Sequence, residues 1–196
     1  MKTKRTIIAS AFCVVTAVPL MAQALVEFKA NYRPDGRAFV CVNGSNKYTR
    51  ALYGSYADYR IETSDRPIFA LYKKKDNKNI RFRITYEGHT IQLDSADYCE
   101  ARYEAGRRDY IIKDKRWERG ELRLSVLAYH DSEGGVWKFT ARGFSSPVSI
   151  AGLICESATQ KFHRYGDLGT IEKAGGFDAP AHPQQLFEVK GRISTG

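Results

Sequence analysis

The sequence predicts an all-β fold: an antiparallel β-sandwich of about ten short strands, followed by an irregular C-terminal segment. Three observations carry that expectation. Beyond residue 25 the dominant hydrophobic period is two, as where Ile80, Phe82, Ile84 and Tyr86 alternate with Arg81, Arg83, Thr85 and Glu87. Alternation sends one set of side chains into a core and the other into water, the pattern of a half-buried strand. Turn-forming residues punctuate the chain at close spacing. No stretch sustains a helical apolar stripe over three turns. Short strands joined by hairpins favour a sandwich, with a distorted single-layer barrel as the alternative.

The first 24 residues stand apart. Lys2, Lys4 and Arg5 precede an uncharged run over 7–20, and the segment closes on Ala22-Gln23-Ala24. A basic start, a short apolar core and a small-x-small end describe a secretory signal peptide. The run is too short to span a bilayer as a helix, and Pro19 interrupts it, so no transmembrane segment is expected. Cys13 follows Phe12 in the middle of the run, which is not the setting of a lipidation cysteine. Residues 1–24 are therefore expected to leave. The mature chain then begins near Leu25 and works in the periplasm or outside the cell.

Residues 25–190 form the expected domain. Val26, Phe28, Ala30 and Tyr32 alternate with polar residues. Pro34-Asp35-Gly36 turns the chain into a strand over 37–42, and Asn43-Gly44-Ser45-Asn46 turns it into another over 48–53. Strands over 58–62 and 68–73 follow. The run Lys73-Lys74-Lys75, beside Asp76 and Asn77, reads as a solvated hairpin tip or as a polyanion-binding patch. Three hairpins come next. Strands 80–86 and 90–93 flank Glu87-Gly88-His89, and strands 98–104 and 109–113 flank Glu104-Ala105-Gly106. Strands 122–126 and 136–141 flank Asp131-Ser132-Glu133-Gly134-Gly135, and a strand over 148–155 ends the series. After about Ser157 the composition shifts. Gly166, Gly169, Gly175, Gly176, Pro180 and Pro183 predict irregular structure over 163–185. One more strand-like piece lies at 186–189, and 191–196 reads as a tail or the start of a linker.

Without its leader the 196-residue chain suits one domain, burying about 70% of its unfolded surface. The leader holds three cations and no acid, so its loss takes the net charge from +9 to +6. That excess is compatible with an anionic partner without requiring one, and no nucleic-acid partner is expected. Cys41, Cys99 and Cys155 remain, an odd number, each in or beside an apolar stretch. They read as buried thiols or as one disulfide plus a free thiol. No CxxC spacing supports a zinc or redox site, so neither metal nor cofactor is expected.

Catalytic spacings are absent: no HExxH, no GxSxG, no phosphate-binding glycine loop and no calcium loop. His89, His130 and His182 stand alone and read as surface or structural residues. One polar cluster stands out, Lys161-Phe162-His163-Arg164-Tyr165-Gly166-Asp167-Leu168-Gly169. Its His163, Arg164, Tyr165 and Asp167 would grip a ligand, anchor a neighbouring domain, or satisfy one another as a structural loop. Glycoside hydrolysis needs two carboxylates across one bond. Asp58, Glu62, Asp97, Glu100 and Glu104 are candidates, but no pair among them is singled out. Sugars stack on flat exposed rings, so Trp117, Tyr129 and Trp137 are candidate stacking residues, with core packing as the competing role.

Three segments in combination carry a resemblance: Tyr48-Thr49-Arg50-Ala51-Leu52-Tyr53-Gly54, then Asp65-Arg66-Pro67-Ile68-Phe69-Ala70-Leu71-Tyr72, then residues 161–169. Their order resembles an uncharacterised β-rich domain at the N-terminus of large secreted bacterial proteins. Many of these continue into six-hairpin barrels like those of glycoside hydrolases. The resemblance spans about residues 28–190. It implies that the barrel carries the catalytic carboxylates, and it assigns no catalytic residue to this domain. The expected function is therefore a non-catalytic module of a secreted polysaccharide-degrading system, with a glycan or a downstream catalytic domain as partner. The alternatives are a stand-alone secreted carbohydrate-active enzyme, a glycoside hydrolase, and a cell-envelope binding protein.

Overall fold

The computed structural model describes residues 32–45, 48–55, 59–73, 78–156 and 185–193. Thirteen strands over these residues make two antiparallel sheets. The six-stranded sheet runs in the order β1 (Arg33–Asp35), β2 (Ala38–Val42), β8 (Tyr98–Glu104), β9 (Arg107–Lys113), β10 (Glu121–Ala128), β11 (Gly135–Arg142). The seven-stranded sheet runs β13 (Gln185–Ile193), β12 (Val148–Glu156), β6 (Lys78–Tyr86), β5 (Ile68–Lys73), β4 (Tyr59–Ser64), β3 (Tyr48–Leu52). Its remaining strand, β7 (His89–Gln92), also pairs with β6. One edge of β6 is thus shared. Residues 78–81 of that edge pair with β5 and residues 83–86 with β7, leaving Phe82 at the joint.

The expected sandwich is what the chain forms, with all three expected hairpins in place. The first turn differs. Arg33–Asp35 is itself a strand paired with Ala38–Val40, and the chain reverses at Gly36 and Arg37. The last strand runs through Ile193, further than 186–189. The alternating positions over 26–31, the Lys74–Lys75 part of the lysine run, and the segment 163–184 lie outside the described residues. Among the described residues no helix is long and apolar enough to cross a membrane.

The period-two pattern decides the core. Ile80, Phe82, Ile84 and Tyr86 are buried, and register puts Ile150 beside Ile84 on the same inner face. The facing sheet contributes Cys99, Ala101, Tyr110, Ile112, Leu122, Leu124 and Val126. Each fully buried large apolar side chain stabilises the fold by about 1.5–3 kcal/mol. Phe69 sits where the layers meet, edge-on to Phe82 at 6.0 Å, Tyr110 at 5.8 Å and Trp137 at 5.9 Å. Strand β4 crosses the strands of the facing sheet. Ile61 packs on Gly135 of β11, the carbonyl of Ser64 accepts from Tyr110 of β9, and Asp65 reaches Cys99 of β8.

Beyond the end of β4 the crossing closes in a polar clasp. Asp65 is 1% exposed, and its carboxylate accepts the Ser45 backbone N–H at 3.0 Å. Arg66 donates to three carbonyls, Gly44 at 2.9 Å, Asp94 at 3.1 Å and Ala96 at 2.9 Å. The buried Arg108 of β9 donates to the Ser64 carbonyl at 2.9 Å and to the Tyr32 hydroxyl, and stacks near Tyr110 at 5.5 Å. Buried polar groups are tolerated when hydrogen-bonded, and here backbone carbonyls accept from Arg66 and Arg108 while a backbone N–H donates to Asp65. Asp65-Arg66-Pro67 is therefore the fastening of the two layers.

Candidate functional site

The opposite end of β4 is built differently. Leu52 closes β3, and the next residues, Tyr53-Gly54-Ser55, leave the sheet. The Ser55 N–H donates to the His130 carbonyl at 2.7 Å, and the Ser55 hydroxyl donates to the same oxygen at 2.7 Å. Gly54 permits this approach, because a Cβ there would run into the carbonyl oxygens of Tyr129 and His130. The contact pins the 53–55 loop of one sheet onto the end of β10 in the other. Tyr53 stays 65% exposed and Tyr129 46% exposed.

Tyr129 is held from below. Its N–H donates to the Gly134 carbonyl at 3.0 Å, closing the β10–β11 turn. A Cβ on Gly134 would sit 2.8 Å from Cε2 of the tyrosine ring, so the ring rests directly on the turn backbone. Tyrosine carries few rotatable bonds, so a pinned, exposed ring presents apolar area at low entropic cost. The surrounding polar groups are paired. Lys73 contacts Glu133 at 2.7 Å, and Arg60 lies 3.9 Å above the Tyr72 ring while bonding Glu62. Burial, with the Glu133 charge adding to it, pushes the Tyr59 hydroxyl up to about 12, so Tyr59 is a neutral donor at ordinary pH.

The three candidate stacking residues separate. Tyr129 is at the surface as that role requires. Trp117 is corrected: it is 1% exposed, follows Asp114 in a short 3-10 turn, and packs on Phe144 at 5.6 Å. Its ring is core, and no face is open to a ligand. Trp137 is half-buried and inward-facing, against Phe69 and Phe82 at 5.9 and 6.5 Å, so core packing claims most of it. The loop residues His163, Arg164, Tyr165 and Asp167 lie outside the described residues.

Among the described residues the candidate carboxylates are each engaged by a separate local partner. Glu62 bonds Arg60, and Glu104 bonds Arg107 at 2.8 Å. Asp97 accepts the Lys115 N–H at 3.1 Å. Glu100 bonds Arg102 at 2.8 Å, and that hydrogen bond holds its carboxyl below the usual range, against the opposing effect of burial. A general acid for glycoside cleavage needs the reverse shift. Asp58 lies outside the described residues. Cys41 and Cys99 are buried free thiols, and burial raises the Cys99 thiol to about 12 and the Cys41 thiol also upward. The Cys155 side chain lies outside the described residues. No group of three or more His, Cys, Asp or Glu among the described residues is placed to hold a metal ion.

Sequence reasoning missed Tyr53, although Tyr53-Gly54 ended one of the segments that carried the resemblance. The available signal was the glycine following an apolar strand, which marks a close backbone approach. Residues 77–179 match the model of a family described as "Domain of unknown function (DUF4450)", and the chain belongs to that family. The match begins just ahead of β6 and includes β8 to β11 of one sheet with β6, β7 and β12 of the other. No curated protein and no solved structure matches the chain.

Proposed function

We propose that this DUF4450 chain is a non-catalytic β-sandwich module of a secreted polysaccharide-degrading system. It binds glycan at its Tyr53–Tyr129 end and supports a neighbouring catalytic domain. The observation that carries the reading is the pair of exposed tyrosines on turns pinned by backbone contacts across the two sheets. Sugar rings present apolar C–H faces, and fixed aromatic faces meet them. The charge pairing around the site supports recognition over cleavage, because Glu62 and Glu133 are occupied by Arg60 and Lys73. The leader-like residues 1–24 support export.

Affinity electrophoresis of the chain through gels containing plant cell-wall glycans tests the binding. Retardation by at least one neutral glycan is expected, falling about five- to tenfold in apparent affinity for Tyr53→Ala or Tyr129→Ala. Retardation unchanged in the double variant would sink the site. Release of reducing sugar, abolished by one Asp or Glu substitution, would replace the module with the enzyme. Intact-mass analysis of exported protein is expected to show a start at Gln23 or Leu25. Full-length protein held in the cytoplasm would defeat the export reading.

A further inference from the structure

The outer face of the seven-stranded sheet carries a second arrangement of donors, far from the tyrosines in sequence. Register lines up Thr90 of β7, Thr85 of β6, Ser149 of β12 and Arg192 of β13 in one row across four strands. At a strand spacing of about 4.8 Å the row is roughly 14 Å long. The adjacent row places Gln92, Arg83 and Ala151 side by side. Arg83 and Arg192 thus stand on either side of β12, displaced by one row. Thr85 and Thr90 share a hydroxyl–hydroxyl bond at 2.8 Å. Ala151 is 8% exposed and forms the floor. Together Arg83, Thr85, Thr90, Ser149, Ala151 and Arg192 line most of an open groove of about 520 Å³.

We infer that this groove binds the acid groups of an anionic polysaccharide. A guanidinium presents a planar fork of donors that matches a carboxylate or sulfate oxygen pair, and five donors leave capacity for a ligand beyond any protein partner. The hydroxyl row between the arginines both donates and accepts, as sugar hydroxyls do. Single-stranded nucleic acid is the poorer fit, since base binding relies on aromatic platforms and the lining residues here are Arg, Thr, Ser, Ala, Ile and Gly. The net charge, +9 for the full chain and +6 once the three cations of residues 1–24 are removed, favours encounter with a polyanion. The inference rests on the glycan reading only for the polymer class, because the tyrosine end and this groove use different residues.

Two probes distinguish the source of the anion: polygalacturonate for carboxylate and dextran sulfate for sulfate ester, with neutral dextran as reference. Binding of the full chain is measured by calorimetry at low and moderate salt. The double variant Arg83→Gln/Arg192→Gln is compared with Arg107→Gln/Arg123→Gln, which removes the same charge from the other sheet. Tight binding of either anionic polymer is expected, weakened at least about tenfold by the groove variant and less than about twofold by the control. The single variant Arg192→Gln, at an exposed position, guards against misfolding and is expected to weaken binding with an unchanged melting temperature. Loss of the same size in both doubles, or no binding of either polymer, would overturn the site. Anion binding that survives Tyr53→Ala/Tyr129→Ala while neutral binding is lost separates the two sites. Anion binding with no neutral binding in the native chain leaves the groove standing and removes the tyrosine platform.

Discussion

The two ends of β4 join the same two sheets by opposite means. At the Ser64–Arg66 end the contacts are buried and polar, with Asp65 and Arg66 bonded to backbone groups from two loops, one at Gly44–Ser45 and one at Asp94–Ala96. At the Tyr59 end the contact is a backbone approach at Gly54, and what remains outside it is two exposed rings. A closed polar network cannot take a ligand without breaking hydrogen bonds that cost free energy to leave unmade. An exposed ring on a pinned turn can take one at no such cost. The difference separates residues that secure the fold from residues free to recognise something.

Stability measurements by urea unfolding break or sharpen that contrast. The largest loss is expected for Arg66→Ala, about 3 kcal/mol, because the carbonyls of Gly44, Asp94 and Ala96 lose a charged donor together. A loss below about 1 kcal/mol would mean that the clasp is ornamental. Gly54→Ala comes next, at about 2 kcal/mol, since the new methyl must push the 53–55 loop off His130. If it folds with native stability, the two sheets are not held together there.

A smaller effect is expected in acid. Asp114 caps a short turn, and its hydrogen bond from the Arg116 side chain holds its carboxyl below the usual range, against the burial that raises it. A carboxylate depressed in the folded state stabilises above its unfolded value of about 3.9 and loses that contribution as pH falls through its folded value. Unfolding midpoints should therefore drop below about pH 4, and Asp114→Asn should flatten part of that drop. An identical acid profile in the variant would assign the dependence to other groups. The smallest change is expected for Tyr53→Ala and Tyr129→Ala, within about 0.5 kcal/mol each, despite their effect on glycan. A loss above about 2 kcal/mol would make the tyrosines structural and erase the contrast between the ends.

How far each region could be read from the sequence follows from the same physics. Strands β5 and β8 begin and end where the alternation and turn residues put them, at Ile68–Lys73 and Tyr98–Glu104. Strand β9 begins two residues before its expected start, because Arg108 occupies an inner position as a buried cation and breaks the apolar alternation. Strand β4 outruns its expectation for the same reason, since Thr63 and Ser64 are buried polar residues. At the candidate site, Tyr129 was legible as an aromatic beside a turn. Tyr53 was not, because its exposure depends on a contact between residues 75 positions apart. Trp117 misled because composition gives the ring but not the Phe144 that covers it.

The shared edge of β6 has a consequence for how the protein breathes. Eight of the nine residues of β6, 78–85, are backed continuously by β12 on one side, while the other side is held by two short strands laid end to end with Phe82 at the joint. Amides facing β12 should exchange with deuterium as one cooperative set. Those facing the shared edge should exchange as two, since β5 and β7 can open separately. The four-residue β7 has little ladder to lose, so the 83–86 half should become labelled first, while the 78–81 half waits for β5 and the Phe69 packing behind it.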